Sequence, residues 1–177
     1  MKTFQLFFAL IAGIVLISAC SNPQNDRKAA IKALEDELFS DETKMVDRAK
    51  ANELISTYVA FVDEFPNDAG SPEILFKAGD MAMNLNQGRR AIEIFDRIIQ
   101  NYPDFGKTPQ CLFLKGYIYE NDLGDLEKAK MIYEEFLQKY PDDEFADDAE
   151  ISIQNLGKTP EELIREFEEK AKNQEAI

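Results

Sequence analysis

A chain of 177 residues, 45% of them hydrophobic, is long enough to bury one substantial core. Histidine and tryptophan are absent, so the commonest metal ligand and the usual general base near neutral pH are both missing. A net charge of −14 repels phosphate backbones and argues against a nucleic-acid partner.

The first residues read as a targeting segment. Lys2 gives a positive start, and Leu6 to Ile17 is an almost unbroken apolar run, too short to span a bilayer comfortably. Residues 1–19 therefore read as a signal peptide. "ISAC", Ile17 to Cys20, resembles the lipobox of bacterial lipoproteins: one aliphatic residue, two small ones, then cysteine. The resemblance implies cleavage before Cys20 and lipidation of that residue, with several acyl chains holding it stably to a membrane. The alternative is ordinary cleavage after Ala19, which leaves Cys20 a free thiol. Residues 20–25 form a short polar tether, and six extended residues reach only about 20 Å. Ser21 is not the aspartate that often retains lipoproteins in the inner membrane. Localisation in the bacterial envelope, at the outer membrane and facing the periplasm, is the expectation.

From Asp26 to Gly157 the pattern is helical. Ala30, Ile31, Leu34, Leu38 and Phe39 form a first stripe. "SDET" interrupts it, with Ser40 or Asp41 as the expected cap of the next helix. Met45, Val46, Ala49, Leu54, Ile55, Tyr58, Val59, Phe61 and Val62 predict a longer helix stopped at Phe65-Pro66. Ser71-Pro72 opens a third, which reaches the turn "NLNQG". Ala91, Ile92, Ile94, Phe95, Ile98 and Ile99 run to Tyr102-Pro103. The cycle then repeats from Leu112 to Tyr119 and from Ala129 to Tyr140-Pro141. No segment alternates with period two, so the expected fold class is all-α.

The spacing carries more than the stripes. Pro66 to Pro103 is 37 residues and Pro103 to Pro141 is 38. A helix–turn–helix unit of this size buries its apolar faces by stacking on neighbours. One unit sets Leu75, Ala78-Gly79, Ala82, Ala91, Phe95, Ile98 and Pro103 in a fixed order. The next sets Leu112, Lys115-Gly116, Tyr119, Ala129, Tyr133, Phe136 and Pro141 in the same order. This order resembles the tetratricopeptide repeat. The resemblance implies an α-solenoid of tetratricopeptide-like repeats over residues 26–157. The unit ending at Pro66 departs from the pattern with Leu54 at the alanine place. After "DDEFADDAEISIQNLG", Gly157 stops a helix and "TPEE" opens the last one. Its stripe is narrow (Leu163, Ile164, Phe167), so residues 158–177 read as a capping helix and a frayed tail.

No catalytic constellation stands out. The paired carboxylates lie on solvated faces and turns, "DDEFADD" lacks the glycine and final glutamate of a calcium loop, and "NQGRR" lacks the ending of a phosphate loop. No metal site and no cofactor is expected, and the chain reads as a non-enzyme. Arg89 and Arg90 oppose the helix dipole at their end and read as exposed charges or a partner contact. Cys111 reads as a small buried hydrophobe with Lys115 the only nearby base.

The resemblance also implies a concave groove lined by the first helix of each unit. Its positions carry over as Glu73, Phe76, Asp80, Met83 and Asn84, then Gln110, Phe113, Tyr117, Glu120 and Asn121. The lysines and arginine with which some family members clamp a C-terminal carboxylate are missing. Aromatics, asparagines and acids instead suit an extended or helical protein segment, basic segments included. The expected function is a membrane-anchored scaffold for protein–protein interaction in the envelope. It is similar to lipoproteins that assist outer-membrane protein assembly and to periplasmic repeat proteins of envelope-division complexes. The alternatives are a cell-wall-acting enzyme and a passive spacer with an empty groove.

Overall fold

The computed structural model describes residues 22–40 and 46–175. Among these residues there are eight helices and no strand: α1 Pro23–Leu38, α2 Arg48–Glu64, α3 Ser71–Asn84, α4 Gly88–Asn101, α5 Thr108–Asn121, α6 Leu126–Lys139, α7 Ala146–Asn155 and α8 Pro160–Glu175. Each helix from α1 to α6 packs on the next in sequence, which is the connectivity of an α-solenoid. No described helix is long and apolar enough to cross a membrane. The signal segment, Cys20 and Ser21 lie outside the described residues.

The aromatic-proline pairs close α2, α4 and α6 in one repeated geometry. Phe65, Tyr102 and Tyr140 each cap their helix at φ near −130° and ψ near 60°, and each donates its backbone N–H to the residue four before it. Six residues then lead to the next helix in every case (65–70, 102–107 and 140–145). The hydroxyls of Ser71 and Thr108 reach back to the carbonyls of Phe65 and Tyr102 at 2.6 and 2.8 Å. Both hydroxyls are buried, so these bonds satisfy polar atoms that water cannot reach. The third junction has Ala146 at that place and lacks the strut.

Within each central unit the two helices approach closely over a glycine. A Cβ on Gly79 would stand 2.5 Å from the Phe95 ring, and one on Gly116 would stand 2.6 Å from the Tyr133 ring. Ala91 and Ala129 are fully buried on the facing helices. The turns between paired helices place Asn86 and Gly124 in the left-handed region, at φ 58° and 63°, which these two residue types tolerate best. Lys115 stands where the preceding unit has Ala78, and its half-buried ammonium is paired with Asp96 of α4.

Several local expectations are corrected. Ser40 does not cap α2; its hydroxyl turns back to the Glu37 carbonyl, and Asp47 is the cap. Asp41 and Met45 lie outside the described residues. Val46 precedes α2 and is exposed, as are Ala30 and Phe39 of the first stripe. Ile31 is the one buried residue of α1, with Leu34 and Leu38 half-buried against the core, and polar ties add to this contact. Lys28 pairs with Asp68 at 2.8 Å and Arg27 with Glu64 at 3.0 Å. α1 also begins at Pro23, capped by Asn22, so Pro23 to Asn25 are helical rather than extended tether. Ser71 is the first residue of α3 rather than its cap.

At the far end Gly157 has φ 76° and α7 stops just before it. Thr159 and Glu162 form the expected reciprocal box, with bonds of 2.8 and 3.2 Å. Ile164 is exposed and Leu163 is half-buried.

Candidate functional site

The first helix of each unit has one side on its own second helix and one side free. Starts at Ser71, Thr108 and Ala146 align α3, α5 and α7 position by position. The sixth position holds Phe76 and Phe113, both predicted to line the groove. Both are half-buried against the protein itself. Phe76 packs on Phe95 and Phe105, and the Lys107 ammonium lies over its ring at 4.5 Å while pairing with Glu73 at 2.8 Å. Phe113 stacks on Phe145 at 5.0 Å and meets Tyr133 and Phe136. Each phenyl ring is thus covered by the residue just before the next first helix, Lys107 in one unit and Phe145 in the next.

The tenth position holds Asp80, which is half-buried, and Tyr117, which is 43% exposed. Asp80 lines a cleft of about 540 Å³ with Glu35, Asp36, Phe39, Tyr58 and Lys77. Burial lifts the Asp80 carboxyl above the usual range, with Lys107 opposing part of that shift. The asparagines of the groove, Asn84 and Asn121, spend a donor on carbonyls of their own helix, Asp80 and Tyr117, at 3.0 Å each. Met83 is half-buried in the core around α3 and α4. Gln110 is half-buried beside Cys111.

Glu120 accepts a hydrogen bond from the Tyr133 hydroxyl at 2.8 Å. Burial and this contact push the Tyr133 hydroxyl's pKa up. An equivalent pair stands at the start of the array, where Tyr58 donates to Glu35 at 2.6 Å. The central unit has neither partner: Phe95 replaces the tyrosine and Met83 occupies the place of Glu120. Cys111 is buried, and burial pushes its thiol up to about 12, which leaves it unreactive as a nucleophile. Arg90 is not a free charge. It reaches Asn52 at 3.0 Å, Gln87 at 3.1 Å and Ser56 at 3.1 Å, tying the start of α4 to α2.

Sequence reasoning missed the covering role of Lys107 and Phe145. The signal was present: both immediately precede the first residue of a first helix, one repeat apart. It missed Glu35 and Lys77 as well, because α1 has no counterpart of the glycine that sets the register in α3 and α5.

The architecture defines an α-solenoid of stacked helix–turn–helix units. The sequence profile of the tetratricopeptide repeat family matches residues 73–104 and 110–143, so the units α3–α4 and α5–α6 are similar to tetratricopeptide repeats. No curated protein matches the chain. A repeat of this kind supports protein partners, and its ordinary role is an interaction scaffold rather than a catalyst.

Proposed function

We propose that the chain is a lipid-anchored scaffold that holds a protein partner close to a bacterial membrane through the face of its first helices. The observation that carries the partner-binding part is the exposed Tyr117 with the half-buried Asp80 at the same place of the other matched repeat, each followed by an exposed asparagine, Asn121 and Asn84. A desolvated carboxylate followed by an exposed phenol suits an extended or helical segment with basic side chains. The anchoring part is supported by the sequence alone: Lys2, the apolar run to Ile17 and "ISAC" ending at Cys20. Localisation at the outer membrane, facing the periplasm, follows from Ser21, and a role in outer-membrane protein assembly follows from the lipoprotein resemblance.

In-cell crosslinking through position 117, with Tyr117→Ala as control, tests the binding part. The expected result is a discrete partner lost in the variant while the helical fold persists. An unchanged crosslink pattern would refute the groove. Membrane fractionation of Cys20→Ala tests the anchor, and retention of the variant in membranes would refute it.

A further inference from the structure

The sixth and third positions of the first helices form a matched pair. In α3 they are Phe76 and Glu73, in α5 Phe113 and Gln110, and in α7 Ile151 and Asp148. The first pair is occupied by Lys107, whose ammonium sits over the Phe76 ring and 2.8 Å from a Glu73 oxygen. The second is occupied by Phe145, stacked on Phe113. The third has no occupant among the described residues. Ile151 is 53% exposed on the outer side of α7, and Asp148 is exposed beside it.

We propose that this end of the array docks a lysine- or arginine-bearing segment of a partner protein. The partner's aliphatic stem lies across Ile151 and its charge rests on Asp148, in the place Lys107 takes over Phe76 and Glu73. The inference rests on the scaffold reading above and adds a second, end-on contact to it. Charge complementarity selects the occupant. Asp142, Glu144, Asp147, Asp148 and Glu150 lie in the junction before α7 and in its first turns, and none has an ion-pair partner among the described residues. Elsewhere in the chain acids are commonly neutralised, as at Glu35, Glu73, Asp96 and Glu135. A second copy of a chain with net charge −14 would bring more repulsion to this face, and so would an anionic lipid surface. A long basic side chain meets both demands, because its stem is apolar and its head is cationic.

The test uses the full chain in detergent and a labelled peptide built on the chain's own covering segment, Phe105 to Pro109, between glycine-serine flanks. A second peptide carries acetyllysine in place of the lysine. The lysine peptide is expected to bind about fivefold more tightly than the acetylated one, the effect of an exposed ion pair near 1 kcal/mol. Asp148→Asn should abolish that preference, and Ile151→Ser should weaken both peptides without changing the melting temperature. Labelled isoleucine methyls should report a shift at Ile151. Equal binding of the two peptides, or a preference that survives Asp148→Asn, overturns the proposal. So does sedimentation showing a dimer that Ile151→Ser dissolves. In-cell crosslinking separates the two readings. A partner lost in Tyr117→Ala but kept in Ile151→Ser leaves the scaffold reading standing and overturns the end site. A partner kept in Tyr117→Ala but lost in Ile151→Ser, together with the peptide preference, does the reverse.

Discussion

The hairpin of α5 and α6 closes, whereas the pair of α7 and α8 makes no comparable contact among the described residues. Two positions explain the difference. The fifth position of the first helix holds Leu75 and Leu112, both buried, but Glu150 in α7. The ninth holds Gly79 and Gly116, on which an aromatic ring rests, but Gln154 in α7. A charge and a long side chain stand where the second helix would have to lie. Hence α7 keeps only the face toward α6, with Ala149 buried and Ile153 and Leu156 packed beside it. The repeat therefore stops because its own interface has been removed, not because the chain runs out of helix.

This contrast is broken most strongly by removing an aromatic from a closed unit. Phe95 is fully buried over Gly79, and Phe95→Ala should cost about 4 kcal/mol by leaving a cavity. Ile164→Ala on α8 should stay within about 0.5 kcal/mol, since its side chain is largely in water. Urea unfolding of the two variants checks the pair. Comparable losses would mean that α8 is held far more firmly than its exposed face allows.

The ninth position gives the next contrast. Gly116→Ala drives a methyl into the Tyr133 ring, to within 2.6 Å of it. Overpacking of about 1–3 kcal/mol should outweigh a helix-propensity gain of about 1 kcal/mol, for a net loss near 1 kcal/mol or more. Gln154→Ala meets no such ring and should be neutral or slightly stabilising. Thermal melts that rank the two in the opposite order would remove the explanation given for the end of the array.

A smaller effect separates the two matched repeats from each other. Tyr133→Phe strips Glu120 of its donor and should cost about 1 kcal/mol. Adding Glu120→Met recreates the Phe95 and Met83 combination of the preceding unit, and the double variant should recover part of the loss. Strictly additive losses would show that Tyr133 and Glu120 do not interact.

Much of the fold was legible because helix-stopping and helix-packing residues recur at nearly constant spacing. Pro66, Pro103 and Pro141 set the register, and Gly79 and Gly116 with Ala91 and Ala129 marked the close approaches that the structure places in the core. The start of α2 was misplaced because Ser40 and Asp47 are both plausible caps, and only the chain's path through the intervening residues decides between them. The candidate site was less legible. The tetratricopeptide resemblance put Phe76, Asp80, Phe113 and Tyr117 on one side, yet the junction residues Lys107 and Phe145 decide which of the rings are covered. That information lies across a unit boundary, where a single helix's stripe carries none of it.

The slightest perturbation concerns the other end of the solenoid, where α1 lies over α2 and α3. Burial would raise the Glu35 pKa, but hydrogen bonds from Lys77 and Tyr58, with the nearby charges of Lys77 and Lys32, hold it below the ordinary carboxylate value. A carboxyl whose pKa is lower in the folded state stabilises the fold fully above its unfolded pKa. That contribution is lost as pH falls from the ordinary carboxylate value through the folded one. Acid should therefore loosen α1 before it opens the closed units, whose apolar contacts do not titrate. Lys77→Met removes the largest stabilising contact, so it should move the α1 transition to higher pH and leave the α3–α6 transition in place. Hydrogen exchange across a pH series resolves the two. If both regions lose protection together in the variant and the parent alike, then α1 is locked to the array by something other than its polar ties.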